Sequence, residues 1–418
     1  MRTFLFSLIV ACLLTPLTAT SQNTGGVWES RAPMSIARQE TPLVHLNGKI
    51  YHMGGINSAG AAISTLEIYD IASDSWSIGE DLPFTLHHHG GAALNGKVYT
   101  TAGYSATQFI ESTLLCEYDP GLDIWRQLTP IPRQMGAHAT VAYNGELYLF
   151  GGTYFNAAFS HAFKYNPTTD TWTELQSLPV DSEHLSAAVV GDKIYVSGGR
   201  RRVNFVVTNL SDLHVYTPLT DSWEQKAPMN EARAGHASAS VDGRLYVFGG
   251  ESFSDGAQII KSVEEYDPVS DTWRLLDDMP KARHGFSAVD VNSQIFLSGG
   301  GINAGFSASA DTQVFTPPPV ATFSAYNAEL PRELSVLSIY PNPAARQTTL
   351  KIELKMGARI TTRLIDILGR EVNATVDQFY TAGSHDISIA LPVLSSGIYF
   401  LALRVNDSRV MREIQIVQ

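Results

Sequence analysis

The chain has 418 residues, more than one ordinary domain accommodates, so two or more are expected. Its net charge of −12 argues against nucleic acid or an anionic membrane as a partner held by bulk electrostatics. Only two cysteines, Cys12 and Cys116, are present, which excludes a disulfide framework. Cys116 stands in the apolar run Leu114-Leu-Cys-Glu-Tyr118 and is expected to be a buried, inert thiol.

Residues 1–21 read as a secretory signal. Arg2 supplies the positive start, Phe4 to Leu14 the apolar stretch, and Ala19-Thr-Ser21 the small residues before Gln22. The apolar run is too short to cross a bilayer, so no membrane span is expected. Ile9-Val-Ala-Cys12 also resembles a lipoprotein cleavage box, but it lies very early and is followed by Leu13 and Leu14.

From residue 22 to 316 one unit recurs. Its clearest copy is Val241-Asp-Gly-Arg-Leu-Tyr-Val-Phe-Gly249-Gly250, followed by Tyr266-Asp-Pro-Val-Ser-Asp-Thr-Trp273. Asp-Gly between two apolar runs signals a tight hairpin turn, because such turns need positive φ. The second glycine falls at 55, 103, 152, 199, 250 and 300, and the tryptophan at 28, 76, 125, 172, 223 and 273. Each Trp precedes its next glycine by 27 residues, whereas the glycine-to-Trp interval varies. Six phased copies with a period near 50 mark a repeat architecture of propeller type. The Gly-Gly, the Tyr before it, the Tyr-Asp-Pro run and the Trp resemble kelch repeats. That resemblance implies an all-β, six-bladed propeller.

The last unit ends at Thr312-Gln-Val-Phe-Thr316 without a Trp, whereas Val27-Trp-Glu-Ser-Arg-Ala-Pro33-Met matches Ser222-Trp-Glu-Gln-Lys-Ala-Pro228-Met. The N-terminal strand is therefore expected to complete the last blade and close the ring. Asp74, Asp123, Asp170, Asp221 and Asp271 each stand two residues before a Trp and read as turn-forming scaffold.

The variable interval holds the loop from second to third strand, which carries Tyr154-Phe155, Arg200-Arg-Arg202 and Glu251-Ser-Phe-Ser-Asp255. Loops on rigid scaffolds tend to carry function. The same face receives the entry to each inner strand. There, 17 residues before the second glycine, stand Arg38, Leu86, Met135, Ser182, Arg233 and Arg283. Fourteen before it stand Thr41, His89, His138, Leu185, His236 and Phe286. Ring closure makes the three arginines neighbours. They form a candidate anion site at the channel mouth, with His89, His138, His236, Arg200 and Arg201 beside them. A scaffold role competes, because Arg followed by His there is a kelch habit.

No cofactor or metal is expected. Adjacent strand residues point to opposite faces, so His87-His-His89 cannot converge on one ion. The copper site of galactose-oxidase-like enzymes is not recognisable, and the Gly-Gly pairs precede no helix that could cradle phosphate.

Pro317-Pro-Pro319 opens a linker over 317–334. Residues 335–418 then alternate or run apolar in six stretches: Ser335–Tyr340, Thr349–Leu354, Arg359–Asp366, His385–Leu391, Gly397–Val405 and Arg409–Val417. They suggest a small β-sandwich. Tyr340-Pro341-Asn342-Pro343, the run from Asp366 through Gly369 to Val372, Leu394-Ser-Ser-Gly397-Ile-Tyr399 and the terminal apolar strand resemble the sorting domain of type IX secretion substrates. Arg412 stands where that family often has Lys. The resemblance implies the type IX machinery as a partner, and passage through the periplasm of a Gram-negative cell to its surface or medium.

The expected function is a binding module for a glycan or protein ligand. A sialic-acid-mutarotase-like enzyme, with His236 or Glu251 in proton transfer, and a purely structural surface protein are the competing expectations.

Overall fold

Tight turns build the blades. Asn47-Gly48, Asn95-Gly96, Asn144-Gly145 and Asp242-Gly243 join first to second strands, and both residues of each turn have positive φ. That matches the right-handed twist of the flanking strands. The structure, a computed structural model, describes residues 25–105, 109–203, 206–253, 256–303, 305–318, 334–366, 371–392, 394, 396–405 and 408–417. The expected signal at 1–21, most of the linker and Gly369 lie outside them. The chain divides after Pro318 into two compact units.

In the first unit, six four-stranded antiparallel sheets are formed by the described residues. Blade one is Leu43–Leu46, Lys49–Met53, Leu66–Asp70 and Ser75–Ile78. Blades two to five repeat this order. Blade six takes Ser287–Val291, Gln294–Ser298 and Thr312–Thr316, and its outer strand is Val27–Arg31. Trp28 pairs with Phe315 and Arg31 with Thr312, so the edge of the last blade is covered by the N-terminal strand.

Two closed rings of backbone hydrogen bonds tie the blades together. In one, the second glycine of each blade donates to the next blade's entry segment. Gly55 bonds Leu86 O (2.7 Å), Gly250 bonds Arg283 O and Gly300 bonds Arg38 O (both 2.9 Å). No side chain fits at Gly250: its φ is +106° and a Cβ would lie 2.7 Å from Ala234 O. Residues 40, 88, 137, 184, 235 and 285 form the other ring around the channel. Each amide donates to the preceding blade's carbonyl, from His88 N to Glu40 O (2.7 Å) round to Glu40 N to Gly285 O (2.6 Å).

At the periphery, the aspartates do more than shape their own turns. Asp271 Oδ1 accepts from Tyr266 Oη (2.7 Å) and from the neighbouring blade's Ala227 N (2.8 Å), while Trp273 Nε1 donates to Ala227 O (2.7 Å). Asp74, Asp123, Asp170 and Asp221 repeat this clamp between blades. The closing seam differs, with Phe315 and Gly26 replacing Tyr and Asp, and Trp28 Nε1 makes no hydrogen bond among the described residues. Apolar packing takes over there: Trp28 lies 4.7 Å from Phe315 and 6.0 Å from Phe248. Cys116 is fully buried, and burial pushes its thiol up to about 11.

The second unit is a sandwich of a three-stranded sheet (Leu334–Tyr340, Gln347–Leu354, Gly383–Ala390) and a four-stranded one (Glu371–Tyr380, Ala358–Asp366, Gly397–Val405, Ser408–Ile416). Leu350, Ile352, Ile389, Ile360, Leu401 and Ile414 from both sheets share one core. Glu371–Tyr380 is a strand that the apolar pattern does not announce. It is an edge strand with two register shifts, and edge strands tolerate polar residues and irregularity.

Candidate functional site

The entry segments place side chains in two layers. At the repeat position of Arg38, Arg233 and Arg283 the guanidinium turns into the blade, and all three residues are fully buried. Arg38 bonds Gly54 O (3.0 Å), Thr65 O (2.7 Å) and Glu67 Oε2 (2.6 Å). Arg233 bonds Gly249 O (2.9 Å) and Glu264 Oε1 (2.6 Å). Arg283 bonds Gly299 O (2.9 Å) and Gln313 Oε1 (3.0 Å). Each caps the second strand and binds a polar residue of the third. The expectation that these arginines grip an anion at the mouth is therefore corrected: they are fully buried and their Nη groups bond inside the blade. In the blades without Arg, the partner position carries Cys116, Phe163 and His214. The two positions change together.

His89, His138 and His236 line the channel wall but are also nearly inaccessible. His138 Nε2 pairs with Thr101 Oγ1 and His236 Nε2 with Ser197 Oγ (both 2.9 Å), each across a blade seam. Burial, above all, pushes all three imidazoles down to about 3, so they are neutral at physiological pH. Arg201 stays exposed on the hairpin of Arg200–Val203 and Val206–Asn209.

The mouth itself is built at the position between these two, 15 residues before the second glycine. Glu40, His88, Ala137, His184, Gly235 and Gly285 all have φ between 51° and 59°. The backbone bonds of the channel ring impose that geometry in every blade, so the side chains are free to differ. His88 thus leaves the short strand Leu86–His87, and the three-histidine tract is not one continuous strand. Gly285 makes room for Glu40, since a Cβ there would lie 2.3 Å from Glu40 Oε1. Ala137 separates His88 and His184 in the ring, and their imidazoles meet at 4.9 Å.

Around this ring sits a charged cluster. Arg200 Nε binds Glu183 Oε1 (2.8 Å), and its Nη1 binds Glu251 Oε1. His184 Nδ1 lies 2.6 Å from Glu183 Oε2, and His284 Nδ1 is 3.4 Å from Glu251 Oε2 and 3.7 Å from Glu40 Oε1. Burial would raise the Glu183 carboxyl, but His184 and Arg200 outweigh it and hold it at about 2. Burial likewise opposes the charge on Arg200, yet Glu183 and Glu251 raise its pKa. Burial, then His184, His87 and Arg200, keeps His88 well below the usual imidazole range. Sequence reasoning singled out Arg200 and Glu251, set His88 aside as part of a tract that could not converge on one ion, and missed Glu40, Glu183, His184 and His284. The signal was present: their repeat positions carry no common residue type.

On the same face the loops from second to third strand expose Phe109, Ile110, Phe155, Val206, Ile302 and Phe306. Tyr154 packs on Phe155 at 4.3 Å with Arg133 over its ring at 5.3 Å. Phe253 covers the Arg200 guanidinium at 5.2 Å.

The residues of the expected sorting motif link the first strand of the second unit to its neighbours and to the last strand. Asn342 Oδ1 accepts from Gln415 N (2.8 Å), Pro341 O accepts from Thr348 Oγ1 (2.9 Å), and Tyr340 Oη donates to Asp386 Oδ2 (3.3 Å). Pro343 leads into Ala344, which bonds Gln415 O and Val417 N. Asp366 and Tyr399 are paired in register and both mostly buried, and Gly397 pairs with Ile416.

Comparison with known proteins agrees with both units. Residues 129–300 match the KLHDC2/KLHL20/DRC7 Kelch-repeats domain, 37–83 the Kelch motif, and 338–417 the secretion system C-terminal sorting domain. Kelch-like protein terF of Aspergillus terreus is 30% identical over 231 residues, 51% of this chain and 50% of that protein. Kelch-like protein 26 of Danio rerio is 30% identical, over 51% and 35% respectively. Beta-scruin of Limulus polyphemus is 25% identical, over 53% and 26%. The chain thus spans half or less of the length of these relatives. The solved structure of YjhT superposes with a TM-score of 0.59 at 16% identity, covering 68% of this chain and 96% of that one. That likeness concerns the fold. The chain is a kelch-repeat β-propeller protein with a type IX secretion sorting domain.

Proposed function

We propose that the protein is an exported binding module that takes a glycan at the mouth of its channel. One observation carries this reading. The backbone ring at residues 40, 88, 137, 184, 235 and 285 is the same in six blades, yet its side chains differ and gather Glu40, His88 and His184 on one cavity. A scaffold served wholly by backbone does not need those side chains, and buried charged groups are costly to keep without a use.

Sugar recognition suits what surrounds them. Carboxylates, imidazoles and Arg200 offer acceptors and donors to hydroxyls, and exposed Phe155, Phe109 and Phe306 offer apolar faces for stacking. Three carboxylates (Glu40, Glu183, Glu251) face one guanidinium (Arg200), so these side chains by themselves favour neutral or basic glycans over acidic ones. An isomerase acting on an acidic sugar is the second reading. It is favoured by the proton-transfer pair His284 and Glu251 at 3.4 Å, but Arg200, the mouth's guanidinium, is already held by two carboxylates.

A glycan array probed with the full mature chain tests the proposal. Selective binding of neutral or amino sugars, lost in Glu251→Gln and Phe155→Ala, is the expected outcome. Binding confined to a protein ligand, or to nothing, would sink it.

A further inference from the structure

We propose that Glu40, His88 and His184 form a binding site for a divalent late first-row metal ion, zinc being the natural probe. Their donor atoms all lie within 4.8 Å of one another, although they come from blades one, two and four. Two imidazoles and a carboxylate suit zinc and its neighbours, and leave coordination positions for water or ligand.

The hydrogen bonding around the three residues fixes a lone pair on His184 and is compatible with one on His88. The Glu183 carboxylate accepts, so His184 Nδ1 must carry the proton of their 2.6 Å bond; in a neutral ring this leaves Nε2 as a lone pair. His88 Nδ1 lies 2.6 Å from His87 Nδ1; in the tautomer in which His88 donates to His87, its Nε2 is left as a lone pair, and that Nε2 faces Glu40 Oε2 at 3.4 Å. That separation is long for a hydrogen bond. It is instead the spacing of two ligands about 2.0–2.1 Å from a tetrahedral ion, which is about 3.4 Å. Carboxylate support of a ligating imidazole, as Glu183 gives His184, is the usual outer shell of such a site.

Two further observations point to an ion. No described group hydrogen-bonds the Glu40 carboxylate, whose side chain is only 10% exposed. His284 Nδ1, buried and without a hydrogen bond, is aimed between Glu40 and Glu251. The cluster also holds three carboxylates against one guanidinium, an excess of two negative charges that a divalent cation neutralises. Arg200 Nη2 lies 3.3 Å from His184 Nε2 and is the group an ion displaces. Glu183 and Glu251 still hold it when it moves.

The test uses untagged, chelator-stripped full-length mature protein with zinc alone. After gel filtration, about one zinc per chain should remain, and X-ray absorption should show two imidazoles and a carboxylate. Glu40→Gln and His184→Gln should weaken zinc binding at least tenfold, while the metal-free melting temperature stays near that of the parent. Failure of the folded parent to retain zinc overturns the site, as does a zinc environment without two imidazoles. Undiminished retention in both variants does the same. If a variant does not fold, the parent's absorption spectrum decides. Glycan binding is read separately, so zinc without glycan or glycan without zinc tells the two proposals apart.

Discussion

Within an entry segment, side chains two residues apart can meet opposite fates. Arg38 lies inside its blade and Glu40 at the channel mouth. The same holds one residue on in blade two, where His89 lines the wall and His88 turns into the charged cluster. The inner layer belongs to the fold: every Arg there bonds backbone carbonyls and a third-strand partner. The mouth layer is held by backbone, so its side chains answer to something other than folding. An uneven distribution of charge around a ring is therefore no sign of a site until the partner position has been checked. Where Arg38, Arg233 and Arg283 vary, Glu67, Glu264 and Gln313 vary with them.

The inner layer breaks most severely when the ring is opened. Deleting residues 22–34 removes the outer strand of blade six and uncovers Phe315 and Phe248. We expect aggregation, or loss of a cooperative melt, by size exclusion and calorimetry, whereas deleting 22–25 leaves both unchanged. A parent-like melt of the longer deletion would contradict closure.

Next in size is Arg233→Ala, which strands Glu264 in the blade without its cation. Breaking such a buried pair costs about 3–5 kcal/mol, measurable by denaturant titration. The double change Arg233→Met with Glu264→Phe copies the residues of blade three and should recover most of that loss. If the single and double variants are equally unstable, the two positions are not a unit.

Much of this fold was legible because its signals are local. Gly-Gly, Asp-x-Trp and the turn pairs act within a few residues, and the likeness of residues 27–34 to 222–229 exposed the closing strand. The site was less legible, since it depends on left-handed backbone at Glu40, His88 and His184 that nothing in those residue types announces. It also depends on neighbours from different blades, such as His284 and Glu251. Three adjacent histidines looked divergent because a continuous strand was assumed. Glu371–Tyr380 escaped notice because Asn373, Asp377 and Gln378 interrupt any apolar alternation.

A smaller effect sets the inner histidines apart. His89, His138 and His236 titrate near 3 when folded and near 6.5 when unfolded. Below pH about 6.5 the unfolded chain binds more protons, so stability is full above that value and falls as pH drops toward 3. Between about pH 6.5 and 4.5, before carboxylates protonate, replacing His138 with Gln should flatten the slope of unfolding free energy against pH. An unchanged slope would remove His138 from this account.

The two layers are separated most directly by one binding titration. The strongest glycan from the array is measured against Glu251→Gln and against the double variant Arg233→Met with Glu264→Phe, each with its melting temperature. The account predicts that Glu251→Gln binds about ten- to a hundredfold more weakly, equivalent to about 1.4–2.7 kcal/mol, with a melting temperature lowered far less than in Arg233→Ala, because Glu183 still pairs with Arg200. The double variant should bind like the parent. Normal binding by Glu251→Gln, with binding lost in a stable double variant, would return the site to the inner arginines and contradict the account.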